Sequence, residues 1–259
     1  MTKIKVAVHK FSSCDGCQLA FINMGEDLLT LAELVDIRHF AEAGMLDENA
    51  QVDIAFVEGS ISTPTELARI KTIRENSRYL ISIGACATSG GIQALRNLHT
   101  TNTWVEAIYA QPSYIETLDK VSAISEHVRV DFELWGCPVS SEQIIATLRG
   151  LLLGVTPKHS SEKVCMECKR AGNICTLVTQ QIACLGPVTH AGCSAICPRM
   201  GRDCYACYGP ANDANTAALS NRFAGFGLLP KQIAARFALF NNNHPLFKNI
   251  AHAVEEKKS

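Results

Sequence analysis

The sequence predicts an α/β protein in which a doubly wound parallel sheet is followed by a cysteine-rich domain. Over residues 1–155, short apolar runs alternate with segments of helical periodicity, which is the pattern of consecutive βαβ units. Over residues 156–212 the apolar periodicity gives way to Cys, Gly and Pro. Such a segment lacks the aliphatic side chains for a core of its own, so bound metal is the natural source of stability. We therefore predict two domains, residues 1–155 and 156–259.

Five segments of the first domain have the composition of β-strands. Two of them, VDIAFV and YLISIG, are nearly continuous apolar runs, the form that strands buried on both faces of a sheet take. The predicted strands cover residues 4–8, 34–40, 52–57, 79–84 and 128–135.

Helical periodicity separates these strands. Apolar residues recur at helical spacing over residues 17–34. A helix over residues 64–77 opens at a Thr-Pro pair, with proline where the first turn tolerates it. A helix over residues 140–154 has a serine cap and a glycine end. Helical spacing returns over residues 213–240, with a break at a Leu-Pro pair.

Composition excludes several classes of function. Hydrophobic residues make up 47% and charged residues 19% of the 259 residues, which allows a sizeable core and argues against global disorder. The net charge of −1 lacks the basic excess of a nucleic-acid-binding protein. No run of about 18 apolar residues is present, so no membrane span is expected.

The N-terminal residues, MTKIKVAVHK, carry no export signal and run directly into a strand. They lack an apolar segment, a small-residue cleavage site and a twin arginine, so we expect a cytoplasmic protein. In that compartment, twelve cysteines more often bind metal than form disulfides.

Four cysteines follow predicted strands and form the first quartet. Cys14 and Cys17 make a CxxC after the first strand, while Cys86 and Cys137 follow YLISIGA and VRVDFELWG. Ligands gather at the carboxyl ends of strands in an open α/β sheet, so we expect the first quartet to meet at one edge. Neighbouring glycines such as Gly84 let the backbone approach a ligand closely. Ordinary buried thiols and a thioredoxin-like CxxC remain as alternatives.

The other eight cysteines crowd into residues 165–207. Two consecutive groups are the simplest partition, although interleaving stays open. The second quartet is Cys165, Cys168, Cys175 and Cys184, and the third quartet is Cys193, Cys197, Cys204 and Cys207. Four thiolates hold one [4Fe–4S] cluster, so twelve are enough for three. Two structural zinc sites are the alternative for this segment, because zinc sites also use CxxC pairs.

Few other residues suggest chemistry. The sequence has no credible Ser–His–Asp set, P-loop or GxGxxG fingerprint, so we predict no catalytic residue and no bound nucleotide in this chain. Glu58 ends a buried strand, where it would either relay protons or accept backbone N–H groups. Asp15 would either tune a cluster or form a turn. His190 is expected beside a site rather than as a ligand.

Several stretches occur in the order and at the separations of a known family. They are SSCDGCQL (12–19), VDIAFVEGSIST (52–63), IGACATSGGIQ (83–93), WGCP (135–138), CLGPVTHAGCSAICP (184–198) and YGP (208–210). By these stretches the chain resembles the small, electron-transfer subunit of [NiFe]-hydrogenases over nearly its full length. It is most similar to the delta subunit of cytoplasmic, NAD(P)-linked bidirectional hydrogenases, also called sulfhydrogenases.

The resemblance implies a flavodoxin-like first domain and three [4Fe–4S] clusters. Cys14, Cys17, Cys86 and Cys137 would hold the proximal cluster. The third quartet would hold the medial cluster, and the second quartet would hold the distal one. The implied partners are a large subunit, whose nickel–iron site oxidises hydrogen or reduces protons, and a diaphorase module with iron–sulfur, flavin and NAD(P) sites.

Two positions depart from the periplasmic members of that family. Those enzymes usually have a histidine as one distal ligand, where Cys165 stands here. They often have a proline where Cys197 stands, which leaves a [3Fe–4S] medial cluster. The resemblance therefore implies all-cysteine [4Fe–4S] clusters and a lower medial potential. A cluster-bearing subunit of a related quinone oxidoreductase and a zinc-stabilised structural protein remain the alternative functions.

Overall fold

The computed structural model describes residues 3–158 and 160–256. The chain divides into two compact units, Met1–Pro157 (unit 1) and Lys158–Ser259 (unit 2). Each unit has its own apolar core. Among the described residues, no helix is both long enough and apolar enough to cross a membrane.

Unit 1 is built on a sheet that has six strands in the described part of the chain. They are β1 (Ile4–Lys10), β2 (Val35–Phe40), β3 (Met45–Leu46), β4 (Val52–Glu58), β5 (Ser77–Ile83) and β6 (Phe132–Leu134). The order across the sheet is β3-β2-β1-β4-β5-β6, and every neighbouring pair is parallel except β2 with β3. The strand order reverses between β1 and β4, so the predicted doubly wound α/β fold is confirmed.

The helices of unit 1 begin where the sequence carries start signals. They are α1 (Gly16–Ile22), α2 (Glu26–Leu34), α3 (Pro64–Glu75), α4 (Gly84–Ser89), α5 (Thr101–Ile108) and α6 (Ser141–Leu152). Thr63 and Ser140 cap α3 and α6, because each side chain accepts the N–H of the residue three positions on, at 3.2 Å. Both caps are reciprocal capping boxes.

Helices cover both faces of the sheet. On one face Val6 packs in a core with Phe21 of α1 and Ile144 of α6. On the other face Ala7 packs in a core with Ile70 of α3. Burial on both faces explains why the central strands read as continuous apolar runs.

The helical spacing over residues 17–34 corresponds to two helices, and the sequence did not show the break between them. The chain forms α1 and α2, which are separated at Gly25. Gly25 has φ 58° and ψ −123°, a backbone conformation outside the helical region that glycine adopts readily. The helix α1, which begins within the CxxC, therefore ends after two turns.

The strand predicted over residues 128–135 is shorter than expected, and only Phe132–Leu134 pairs with β5. The side chain of Asp131 takes the place of a backbone partner. It accepts the N–H of Leu80 at 2.9 Å and forms an ion pair with Arg74 at 2.5 Å. This side-chain contact ends the strand at its N-terminal side.

Unit 2 contains more apolar core than its cysteine-rich segment predicts. Its helices are α7 (Val164–Arg170), α8 (Thr176–Thr179), α9 (Ile196–Arg199), α10 (Thr216–Gly225), α11 (Pro230–Phe237) and α12 (Pro245–Glu256). Phe223, Phe237 and Phe247 form a core with Leu185 and Val188 of the cysteine-rich segment. The cysteine-rich loops are therefore anchored to three helices, of which the sequence predicted α10 and α11 but not α12.

Two histidines of β1 and β2 stack inside unit 1. The rings of His9 and His39 lie 4.7 Å apart at an interplanar angle of 22°, and each side chain is about 2% exposed. Burial, with smaller contributions from the neighbouring His39 and from the charge of Arg69, lowers the pKa of His9 from 6.5 to about 3. The pair is therefore neutral in the folded protein.

This neutral pair predicts acid sensitivity. Because the folded-state pKa of His9 lies below its unfolded value, the unfolded chain binds more protons between the two pKa values. Stability is then fully present above the unfolded pKa and is lost as the pH falls. His9→Phe keeps an aromatic ring against His39 but cannot bind a proton. We therefore expect its free energy of unfolding to fall less as the pH is lowered, because about one proton fewer is taken up on unfolding. Chemical denaturation of the wild type and of His9→Phe at about pH 7 and about pH 5 measures this dependence. An equal decrease in the free energy of unfolding of the two proteins would contradict the expectation.

Candidate metal centres

The first quartet lies at the carboxyl edge of the sheet in unit 1. Cys14 lies in the loop between β1 and α1, Cys17 lies in the first turn of α1, and Cys86 lies in α4, directly after β5. Cys137 follows β6. Parallel pairing of these strands brings their carboxyl ends to one edge, which is where ligands of open α/β sheets bind.

The thiols of the first quartet lie near enough to influence one another's ionisation. Burial, with a smaller contribution from negative charge at Cys137 and Cys14, raises the pKa of Cys86 to about 12. Burial also raises the pKa of Cys17, as do the carboxylate of Glu58 and the thiols of Cys86 and Cys137. Without a cation these thiols stay protonated, so a bound metal would have to compensate the charge of the thiolates.

Gly84 leaves space for the sulfur of Cys17. Gly84 has φ +83°, and a Cβ atom built there would lie 2.3 Å from the Cys17 Sγ. Gly91 does the same for Cys86, whose Sγ would lie 2.8 Å from a Cβ atom at Gly91. A glycine therefore lies against each of two of the four thiols. The absence of a side chain lets the backbone approach closely, which a site that encloses a metal cluster requires.

Glu58 holds the first turn of α1. It is 2% exposed, and its two carboxylate oxygens accept the N–H groups of Cys17 at 3.0 Å and of Gln18 at 3.1 Å. Burial raises the pKa of Glu58, although both N–H groups act in the opposite direction. The sequence offered two roles for Glu58, a proton relay or acceptance of backbone N–H groups. These contacts correspond to the second.

Asp15 lies inside the CxxC, at the turn that leads into α1. Its backbone is left-handed, with φ 66°, and its carboxylate pairs with Lys10 at 2.7 Å. The same carboxylate accepts the hydroxyl of Ser13 at 3.2 Å. These local contacts are those of a turn residue.

The second quartet gathers around Cys165 in unit 2. Cys165 and Cys168 lie on α7, Cys175 caps α8, and Cys184 follows α8 in the chain. Burial, with a smaller contribution from negative charge at Cys184, Cys168 and Cys175, raises the pKa of Cys165 to about 11. The structure thus brings all four members near one thiol. Gly186 lies beside two of them. A Cβ atom built on Gly186 would lie 3.4 Å from the Cys165 Sγ and 3.5 Å from the Cys184 Sγ.

The third quartet lies on the loops around α9. Burial raises the pKa of Cys193, and negative charge at Cys197 adds to the increase. Burial also raises the pKa of Cys204, and negative charge at Cys184 and Cys207 adds to that increase. The N–H of Cys204 donates to the Sγ of Cys184 at 3.2 Å. The second and third quartets are therefore neighbours, joined where Cys184 meets Cys204.

None of the twelve cysteines, all of which the structure describes, forms a disulfide. Across residues 3–158 and 160–256, no group of three or more His, Cys, Asp or Glu side chains is arranged to hold a single metal ion. As a donor set, sulfur-only quartets in glycine-lined loops fit [4Fe–4S] clusters, which are held by four thiolates.

Two residues near the cysteines were not predicted from the sequence. Gly91 lies against Cys86, which is five positions earlier in the chain. The only feature of the sequence that could have indicated this contact is the pair of consecutive glycines, Gly90 and Gly91. Glu167 lies inside the CxxC of α7, yet its carboxylate contacts the loop that carries Cys193. Its only signal was an acidic residue between two cysteines.

Comparison with known proteins identifies relatives over most of the chain. Residues 14–151 match the family model of the NADH ubiquinone oxidoreductase 20 Kd subunit. The sulfhydrogenase 2 subunit delta of Pyrococcus furiosus is 32% identical over 216 residues, which are 83% of this chain and 90% of that protein. The NAD-reducing hydrogenase HoxS subunit delta of Cupriavidus necator is 31% identical over 167 residues, covering 59% of this chain and 80% of that protein.

A solved structure agrees with these relatives. A chain of an NAD+-reducing [NiFe]-hydrogenase in its H2-reduced state aligns with a TM-score of 0.57 and 29% identity. The alignment covers 61% of this chain and 96% of that chain. The doubly wound sheet, the cysteines at its edge and these relatives lead to one conclusion. The chain belongs to the NADH ubiquinone oxidoreductase 20 Kd subunit family and, within it, to the small, electron-transfer subunits of [NiFe]-hydrogenases.

Proposed function

We propose that this small subunit relays electrons through three [4Fe–4S] clusters. Cys14, Cys17, Cys86 and Cys137 hold the proximal cluster, which faces the nickel–iron site of the large subunit. The third quartet holds the medial cluster and the second quartet holds the distal one. The observation that carries the proposal is the set of twelve cysteines outside any disulfide, of which four lie at a sheet edge and eight in the cysteine-rich segment of unit 2.

When bound, each cluster supplies a site that takes up and releases one electron. The chain's own residues provide the surroundings. The apolar core below the sheet edge keeps water from Cys17, which is 7% exposed. Glu58 and the turn at Asp15 hold the CxxC in place. Cysteine at 165 and at 197 supports three all-thiolate sites, and hence low, similar potentials along the relay.

We further propose that the electrons pass between the large subunit and a diaphorase module that uses NAD or NADP in the cytoplasm. The names of two relatives support this step, since one is a sulfhydrogenase subunit and the other belongs to an NAD-reducing hydrogenase. A subunit of a quinone oxidoreductase is less well supported. The family model ends at residue 151, before the eight cysteines of unit 2, whereas the sulfhydrogenase subunit matches 83% of the chain.

Copurification tests the proposed partners. The tagged chain would be isolated without oxygen from its own source, and the accompanying chains identified by mass spectrometry. We expect a large subunit that carries nickel and subunits that carry flavin. Isolation with quinone-oxidoreductase subunits and without nickel would contradict the proposal.

A further inference from the structure

Glu167 links the two cysteine quartets of unit 2. It lies inside the CxxC of α7, which belongs to the second quartet, but its carboxylate contacts the loop of the third quartet. One oxygen accepts the N–H of Gly192 at 2.8 Å and the other accepts the N–H of Ala195 at 3.2 Å. The second oxygen also lies 3.9 Å from the Sγ of Cys193.

The loop that Glu167 contacts has an uncommon backbone. Ser194 and Ala195 are consecutive non-glycine residues in the left-handed region, with φ 53° and 52°. Such residues persist where the surroundings hold them in place. Ala195 is fully buried, and the N–H that it turns inward is the one that Glu167 accepts. The carboxylate therefore stabilises the conformation that presents Cys193.

Unit 1 contains a comparable contact. There the carboxylate of Glu58 accepts two backbone N–H groups beside Cys17. The difference lies in the origin of the carboxylate. Glu58 comes from a strand that carries no cysteine, whereas Glu167 comes from between two cysteines of a neighbouring quartet. Its contact consequently fixes α7 against the Cys193 loop.

We propose that Glu167 is a positioning residue that sets the spacing of the second and third quartets and the charge beside Cys193. The proposal rests on the proposed function, in which Cys193 is a ligand of the medial cluster. A carboxylate near a ligating sulfur opposes additional negative charge there, so it disfavours the reduced state and lowers the midpoint potential.

Glu167→Gln tests the proposal because it removes the charge but keeps the size of the side chain. Glutamine offers one acceptor oxygen in place of two, so one of the two N–H contacts is lost. We expect faster hydrogen exchange in the intact complex at whichever of the Gly192 and Ala195 amides loses its acceptor. We also expect a higher medial midpoint potential in an EPR-monitored redox titration. Glu167→Asp, which keeps the charge, is expected to shift the potential less.

Glu162→Gln is the matched control. Glu162 is an exposed carboxylate of the same segment, and it forms a forked pair with Arg170 at 2.8 and 2.6 Å. We expect the wild-type potential and the wild-type amide exchange in that variant. Wild-type exchange at Gly192 and Ala195 in Glu167→Gln overturns the proposal, whatever metal the chain holds. An unchanged potential despite faster exchange also overturns it. Iron and sulfide content separately reports whether the proposed function has failed.

Discussion

Replacing Gly84 by alanine is expected to remove the proximal cluster. A Cβ atom at this position would lie 2.3 Å from the Cys17 Sγ, far inside van der Waals contact. Neither partner moves easily, because Cys17 is buried and Glu58 holds its backbone N–H. We expect the Gly84→Ala protein to contain about four iron atoms fewer per chain, the content of one [4Fe–4S] cluster.

Gly44→Ala separates this steric effect from the cost of a left-handed alanine. Gly44 has φ +85°, close to the +83° of Gly84, but apart from its chain neighbours no described residue has an atom within 4 Å of its Cβ position. Both variants therefore incur about 1 kcal/mol or slightly more for the backbone, and only Gly84→Ala displaces a thiol. Iron analysis and EPR of both variants measure the difference. Full iron content in Gly84→Ala would contradict the account of the first quartet.

Replacing Cys14 by alanine is expected to reduce hydrogen-linked electron transfer to background. Cys14 is exposed, so the substitution disturbs little of the apolar core. In the proposed relay, it removes one of four thiolates from the site that faces the large subunit. The assay is reduction of NAD or NADP by hydrogen in the purified complex. Dye reduction by the proposed diaphorase subunits, once separated, is expected to remain, because that reaction would not use this chain.

Ser13→Ala is the control for the loop that carries Cys14. The hydroxyl of Ser13 donates to Asp15 at 3.2 Å, so its removal perturbs the same turn while all four thiols remain. We expect it to retain most of the coupled activity. If Cys14→Ala kept the activity of Ser13→Ala, Cys14 would not be a ligand of the relay.

The sequence was sufficient for the features that depend on local pattern. Continuous apolar runs identified β4 and β5, and capping signals located the starts of α3 and α6. Cysteines placed directly after strands identified the edge at which the first quartet meets. These signals act within a few residues, so they can be read without the fold.

The features that were missed depend on contacts between distant residues. The N-terminal end of β6 is determined by a carboxylate that binds Leu80, 51 positions away. Glu167 reaches Gly192 across 25 positions and Ala195 across 28. The core of three phenylalanines in unit 2 brings together residues from α10, α11 and α12. Periodicity identifies apolar faces but does not tell which of them meet.

Iron and acid-labile sulfide, measured on the chain purified without oxygen, test the central claim most directly. Three clusters held by twelve thiolates require about twelve iron and about twelve sulfide per chain. A brown protein with that content is the expected result. A colourless protein with about two zinc ions in unit 2 and no sulfide would contradict the relay.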